Sequence, residues 1–141
     1  MSKYFHLTIK EIVPETDDTV TIHFWHPPHQ AISYKPGQFL TLMPVVEGKK
    51  IRRAYSMSSS PNKDASLAVT VKRLPGGLVS NHLIDRLRPG DAMEVMEPMG
   101  HFVCEPNPTR ARTLVMFGAG SGITPLMSML KSVLPVETRT R

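Results

Sequence analysis

Six short stretches rich in β-branched and aromatic residues, at positions 5–13, 19–25, 39–46, 51–57, 67–73 and 92–97, alternate with explicit turn signals. Between them stand "PETDD", "HPPHQ", "KPGQ", "EGKK", "SSPNKD" and "RPGD", each supplying Pro, Gly, Asn or Asp where the backbone must reverse. Strands of that length and spacing predict a small all-β unit, an antiparallel barrel or sandwich. One segment breaks the period of two: in "LVSNHLIDRLRPGD" the apolar residues Val79, Leu83, Ile84 and Leu87 fall on one helical face before Pro89 and Gly90. It predicts one short helix capping the barrel.

After Asn107 and Pro108 the texture changes to "RTLVMFGAGSGITPLMSMLKSVL", an apolar run, a glycine turn and a helical pattern. That order predicts the first βα unit of a truncated α/β nucleotide-binding domain. The expected division is therefore a barrel domain over 1–107 and the start of an α/β domain over 108–141. An unpaired apolar strand at Leu114–Phe117 would leave the tail mobile, or free to self-associate with another copy.

Of the residues, 40% are hydrophobic and 21% charged, a balance that folds and is not that of a disordered tail. The net charge of +5 would suit an anionic partner, yet apart from Lys49, Lys50, Arg52 and Arg53 and the terminal Arg139 and Arg141 the basic residues are scattered. A small anionic ligand fits that better than nucleic acid. Cys104 is the only cysteine, so the chain cannot form an internal disulfide or a multi-cysteine metal site, and a small buried apolar role is expected for it. His23, His26 and His29 are three apart on a strand running into a proline turn, which sends them to different faces; no metal site is expected. With no long apolar run and no signal-peptide core in "MSKYFHLTIK", no membrane association and a cytoplasmic location are expected.

Three segments carry chemistry. In "RRAYSMSSSP", Arg53 and Tyr55 fall on one face of a strand and Ala54 and Ser56 on the other. A guanidinium beside a phenol ring suits a ligand with a phosphate and a flat ring system, or is simply a solvated strand surface. In "VKRLPGGLVSNHL", Gly76 and Gly77 precede the short helix, and Ser80 can cap it or donate to an anion. In "GAGSG", Gly118, Gly120 and Gly122 let backbone N–H groups approach a pyrophosphate at a helix N-terminus, or form a tight turn with no ligand.

Taken together, "RAYS", "VKR" with "GGLVSN", "EPMG" and "GAGSGITP", in this order and with "YKPGQFLTL" before them, resemble the signatures of the ferredoxin–NADP reductase superfamily. The wording of "VKRLPGGLVSNHL" is closest to the phenylacetate-degradation type of oxygenase reductase. The resemblance implies an FAD-binding six-stranded antiparallel Greek-key barrel followed by an NAD(P)-binding α/β domain, serving NADH or NADPH. It implies that Arg53 contacts the FAD pyrophosphate, that Tyr55 stacks on the isoalloxazine and that Ser56 hydrogen-bonds near flavin N5, the last two being the catalytic candidates. Backbone groups of Val71, Lys72 and Arg73 would meet the pyrimidine edge, and Leu78, Val79 and Ser80 would hold the pyrophosphate, with Gly77 allowing the approach. Gly118, Gly120, Gly122 and Thr124 would begin the NAD(P) site. The implied partner is an iron–sulfur or haem electron acceptor, in trans or in a further domain. The competing expectation is a non-catalytic flavin-binding or protein-interaction barrel.

Overall fold

The computed structural model describes residues 3–141. Its main sheet contains β1 (Tyr4–Thr16), β2 (Thr19–Phe24), β3 (Phe39–Leu42), β6 (Arg53–Ser56), β7 (Leu67–Lys72) and β8 (Ala92–Met96). All pairings are antiparallel, in the order β6-β3-β8-β1-β2-β7. The two ends meet at a bridge between Met57 and Val69, where the Ser58 N–H donates to the Ala68 carbonyl at 2.9 Å. That contact closes the barrel. Strand β8 lies between β1 and β3, the non-sequential neighbour relation expected of a Greek key.

The period-two pattern explains the interior. Leu7 and Ile9, Ile22 and Phe24, Leu40 and Leu42, Leu67, Val69 and Val71, and Val95 alternate inward and are at most 1% exposed. Each such side chain contributes about 1.5–3 kcal/mol through burial. The expected third strand divides at Pro44, which has no N–H to donate; a small hairpin follows, β4 (Val45–Val46) and β5 (Lys49–Lys50). Glu47 and Gly48 take φ of 51° and 75°, the double positive φ of a primed two-residue turn. The strip after it enters the sheet at Arg53 and not at residue 51, because the Ile51 N–H bonds back to the Pro44 carbonyl.

Helix α1 (Leu78–Asp85) packs against β7 and β4. It stops before Leu87, which is buried from the following turn and not from the helix. The apolar run at 112–117 forms no strand, contrary to expectation: no other strand lies beside it among the described residues. Its main chain is met by the tail instead, the Leu114 N–H donating to the Arg141 carbonyl and the Arg141 N–H to the Arg112 carbonyl. Val115 and Phe117 stand 71% and 90% exposed. A short 3-10 turn at Gly120–Gly122 leads into α2 (Ile123–Val133). No helix among the described residues is long and apolar enough to cross a membrane.

The segment after the barrel is held by one buried acid. Glu137 is fully buried and accepts from the Arg112 fork at 2.8 and 3.0 Å, from the Asn107 N–H at 3.0 Å and from the Thr140 hydroxyl at 2.7 Å. Arg112 also reaches the Cys104 sulfur at 3.4 Å; Cys104 is half-buried and accepts a hydrogen bond, so it is not the inert apolar filler expected. Burial pushes the Glu137 carboxyl up, but the hydroxyl, the guanidinium and the N–H outweigh it and hold the group below its ordinary value of 4.5. A carboxyl depressed in the folded state adds stability above its ordinary value and loses it as the pH falls through the folded one. Thermal midpoints measured from pH 6 downward are therefore expected to fall more steeply for the native chain than for Glu137→Gln. Parallel curves would contradict this assignment.

Candidate functional site

Beyond the Met57–Val69 bridge, β6 and β7 remain neighbours but do not pair. Had the ladder continued, Tyr55 would oppose Val71 and Arg53 would oppose Arg73; that stretch of the ladder is open instead. On its β6 side, register places Arg53 opposite Leu42 and Tyr55 opposite Leu40, so both lie on one face of the β3–β6 pair, as the sequence implied. The Tyr55 ring is half-buried against the core. Burial raises its phenol pKa, and the nearby Arg53 charge opposes the rise. Arg53 is exposed, and its guanidinium donates to the Arg52 carbonyl at 2.8 Å. It has no carboxylate partner among the described residues.

On the β7 side, the Val71 side chain is wholly in the core, and its main chain faces Val20 of β2. The Arg73 N–H points to β2, donating to the Asp18 carbonyl at 2.6 Å, so this donor is taken. By alternation, Lys72 turns its main-chain N–H and carbonyl toward β6. The Arg73 side chain is a clamp: its guanidinium grips Asp85 at 2.7 and 2.9 Å and reaches Asn81. Hydrogen bonding from Arg73 holds the Asp85 carboxyl below its ordinary range. Helix α1 is thereby tied to β7.

The first turn of α1 has three N–H groups, of Leu78, Val79 and Ser80, with no partner inside the helix, and no acidic side chain covers them. Gly77 is the N-cap; Ser80 is not a cap, because its Oγ accepts from the Leu74 N–H at 3.0 Å. A Cβ on Gly77 would crowd that Oγ at 2.7 Å and the Leu74 carbonyl at 2.9 Å, while Gly76 turns the chain with φ of 70°. The result is a positively polarised helix end with no acidic side chain over it.

The glycine turn reaches the barrel from elsewhere. A cleft of about 640 Å³ lies between the outward faces of β2 and β7 and the start of α2. Among the expected residues it gathers Lys72, Gly120 and Thr124; Arg53, Tyr55, Ser56 and the first turn of α1 do not line it. Gly120 has φ of 53°, and a Cβ on Gly118 would meet the Leu126 side chain at 2.9 Å. Gly122 has open space around it. The Thr124 hydroxyl donates to the Ser121 carbonyl at 3.0 Å and so braces the turn.

Ser58, Thr21 and Thr70 also line the cleft, and sequence reading missed them. Their signal is a threonine between core residues on each of two strands, and only the register, Thr21 opposite Thr70, makes it visible. Helix α2 is seated by a dry serine seam: the Ser128 hydroxyl donates to the Ser59 carbonyl at 2.6 Å, and the Ser132 Oγ lies 2.8 Å from the Ser60 Oγ, all four residues being 1% exposed or less. Lys131 and Asp64 pair beside it.

A family model described as "Oxidoreductase FAD-binding domain" matches residues 5–104. The chain belongs to the oxidoreductase FAD-binding domain family. A component of the 1,2-phenylacetyl-CoA epoxidase of Escherichia coli (strain K12) is 35% identical over 143 residues, covering 100% of this chain and 40% of that protein. The ferredoxin reductase component of the Rhodococcus rhodochrous 3-ketosteroid-9-alpha-monooxygenase is 43% identical over 131 residues, covering 91% of this chain and 36% of that protein. The chain thus spans well under half the length of these relatives. Among solved structures, an Amycolatopsis cytochrome P450 reductase superposes with a TM-score of 0.77 at 28% identity, over 98% of this chain and 41% of that one. The flavohem-like FAD/NAD binding domain of a Vibrio cholerae nitric oxide dioxygenase gives 0.82 at 24% identity, over 96% and 59%. The fold is therefore the barrel of ferredoxin reductase-like proteins, and the donors present fit FAD. An arginine with no carboxylate partner among the described residues and a helix end with no acidic cover are donors of the kind a pyrophosphate needs.

Proposed function

We propose that the chain is the FAD-binding part of an NAD(P)H-dependent reductase that passes electrons to an iron–sulfur or haem partner. The observation that carries this reading is the open ladder beyond Met57 and Val69, with Arg53 and Tyr55 on one face of the β3–β6 pair, together with the uncovered N–H groups of the first turn of α1. FAD, when bound, supplies the hydride-accepting and one-electron chemistry. The chain's own residues bind and orient it. Arg53 pairs with the pyrophosphate, Tyr55 stacks on the ring and Ser56 hydrogen-bonds near N5. The Lys72 main chain meets the pyrimidine edge, with Val71 in the core on one side and the Arg73 clamp on the other. Gly77 admits the pyrophosphate to the N–H groups of Leu78, Val79 and Ser80. The turn of Gly118, Gly120 and Gly122 with Thr124 opens the site for NADH or NADPH across the cleft. In this reading residues 1–107 are the flavin domain and 108–141 begin the nucleotide domain, and the setting is cytoplasmic.

The test is anaerobic mixing of the FAD-loaded whole gene product with NADH and with NADPH. Bleaching of the flavin band by one of them, and its return on adding a one-electron iron acceptor, is the expected result. A bound flavin that neither nucleotide bleaches would favour a non-catalytic flavin-binding barrel. A protein that takes up no flavin would leave an interaction barrel.

A further inference from the structure

The glycine turn that walls the cleft is held from a distance. Residues 118–124 pass beside β7, yet the Gly122 N–H donates to the Ala119 carbonyl and the Thr124 hydroxyl to the Ser121 carbonyl, and no hydrogen bond joins this turn to the barrel among the described residues. The anchors come later along α2. The Ser128 hydroxyl donates to the Ser59 carbonyl at 2.6 Å, and the Ser132 Oγ lies 2.8 Å from the Ser60 Oγ and 2.7 Å from the Ser128 carbonyl of its own helix. The Ser60 hydroxyl donates to Asn62 Oδ1 at 2.7 Å, and Asn62 Nδ2 donates to the Ser132 carbonyl at 3.2 Å. Lys131 pairs with Asp64, whose carboxylate accepts from the Ser60 N–H at 2.8 Å. Every barrel partner of this seam lies in residues 59–64, the stretch of chain that leaves β6.

Buried hydroxyls fix a helix where apolar contacts alone would let it slide. Met129 packs at Gly37 beside the seam, and a flexible thioether can follow a small shift. Ser128 and Ser132 cannot. They stand four apart on one helix face, and both are 0% exposed, as is Ser60. A slide or rotation of α2 would leave these groups buried without partners, so one placement of the helix satisfies them together. That placement is passed on to the cleft. At 1.5 Å per residue, Gly122 stands about 9 Å along the axis from Ser128, and Gly120, Thr124 and Met127 wall the cleft opposite Ser58, Thr70 and Lys72.

We propose that Ser128 and Ser132 are positioning residues: anchored on Ser59, Ser60 and Asn62, they set the distance between the glycine turn and the β7 wall of the cleft, and with it the approach of a nicotinamide dinucleotide to the flavin. The proposal rests on the functional reading above. Neither serine lines the cleft, so neither touches what binds there; both act through the helix. The seam ties the chain leaving β6, the strand of Arg53 and Tyr55, directly to the helix that follows the nucleotide turn.

The test compares the native whole gene product with the double variant Ser128→Ala, Ser132→Ala. Alanine is the better helix former, so the variant keeps α2 and loses its anchors. Amide exchange over residues 123–127 should quicken by about threefold or more while β6 and β7 exchange at native rates, because a short helix released from its packing frays. With FAD loaded, bleaching at saturating nucleotide should slow by about tenfold, the effect of a small misplacement. Photoreduction of the same flavin, which needs no nicotinamide, should be unchanged. Asn62→Ala, a change at an exposed side chain, should move exchange and nucleotide bleaching the same way by a smaller factor, and it decides the matter should the double variant loosen the barrel. Nucleotide bleaching at the native rate in these variants, or an equal slowing of photoreduction, would overturn the positioning role and leave the functional reading standing. A native protein whose flavin neither nucleotide bleaches would overturn that reading and the proposal with it.

Discussion

Arg53→Ala is expected to weaken FAD binding by about 1.5–3 kcal/mol, roughly 10- to 150-fold, the scale of one charge-assisted hydrogen-bonded contact. The guanidinium is exposed and unpaired by any carboxylate among the described residues, so its removal leaves no buried charge behind and little loss of stability. The loss should therefore appear in binding and not in unfolding. Tyr55→Ala should weaken binding less, by about 0.5–1.5 kcal/mol, through lost ring contact, and should also shift the flavin spectrum. Titration of each variant with FAD, followed by flavin fluorescence, checks both. Unchanged curves for the pair would show that the ligand sits elsewhere.

Gly37→Ala is expected to destabilise the fold by about 2–6 kcal/mol, combining strain at a positive φ with overlap in a packed place. Gly37 has φ of 102°, and a Cβ there would collide with the Phe102 carbonyl oxygen and the end of the Met129 side chain. Met129 could move aside, but the carbonyl belongs to backbone held where the Cys104 N–H donates to the Pro36 carbonyl at 3.1 Å. Gly48→Ala is the comparison: φ is 75°, yet nothing lies within 4 Å of the added carbon, so only about 1–2 kcal/mol of strain is expected. Urea unfolding of the two variants separates the effects. Equal losses would show that the overlap at Phe102 is relieved without cost.

The barrel was legible because its strands alternate over short spans: Leu67, Val69 and Val71 with Ala68, Thr70 and Lys72 between them declare a strand with no tertiary information. The same reasoning failed at Leu114–Phe117, where an apolar run named a strand that no neighbour completes among the described residues. Apolar content reports burial somewhere, and pairing needs a partner that composition does not show. For the site, the identities of Arg53, Tyr55 and Gly77 pointed to a ring and a phosphate. The opening of the ladder beyond Met57 and Val69 is a matter of register. Arg73 was expected at the ligand through its backbone, yet its N–H goes to β2 and its side chain to Asp85, because strand parity decides which edge each residue faces. Ser80 was expected to cap or to donate; its oxygen accepts from the Leu74 N–H and caps nothing, while its hydroxyl proton is left to give. The contacts among the Thr21, Thr70 and Ser58 hydroxyls draw on three separate stretches of chain, and no local window contains them.

The most direct measurement is the identity and stoichiometry of the flavin the chain holds. The purified chain is mixed with equimolar FAD and FMN, freed of unbound ligand, denatured, and the released ligand is weighed by mass spectrometry. An arginine together with a bare helix end and a glycine approach offers more than a monophosphate needs, so the account predicts one FAD per chain and essentially no FMN. FMN retained as well as FAD, or no flavin at all, would contradict it.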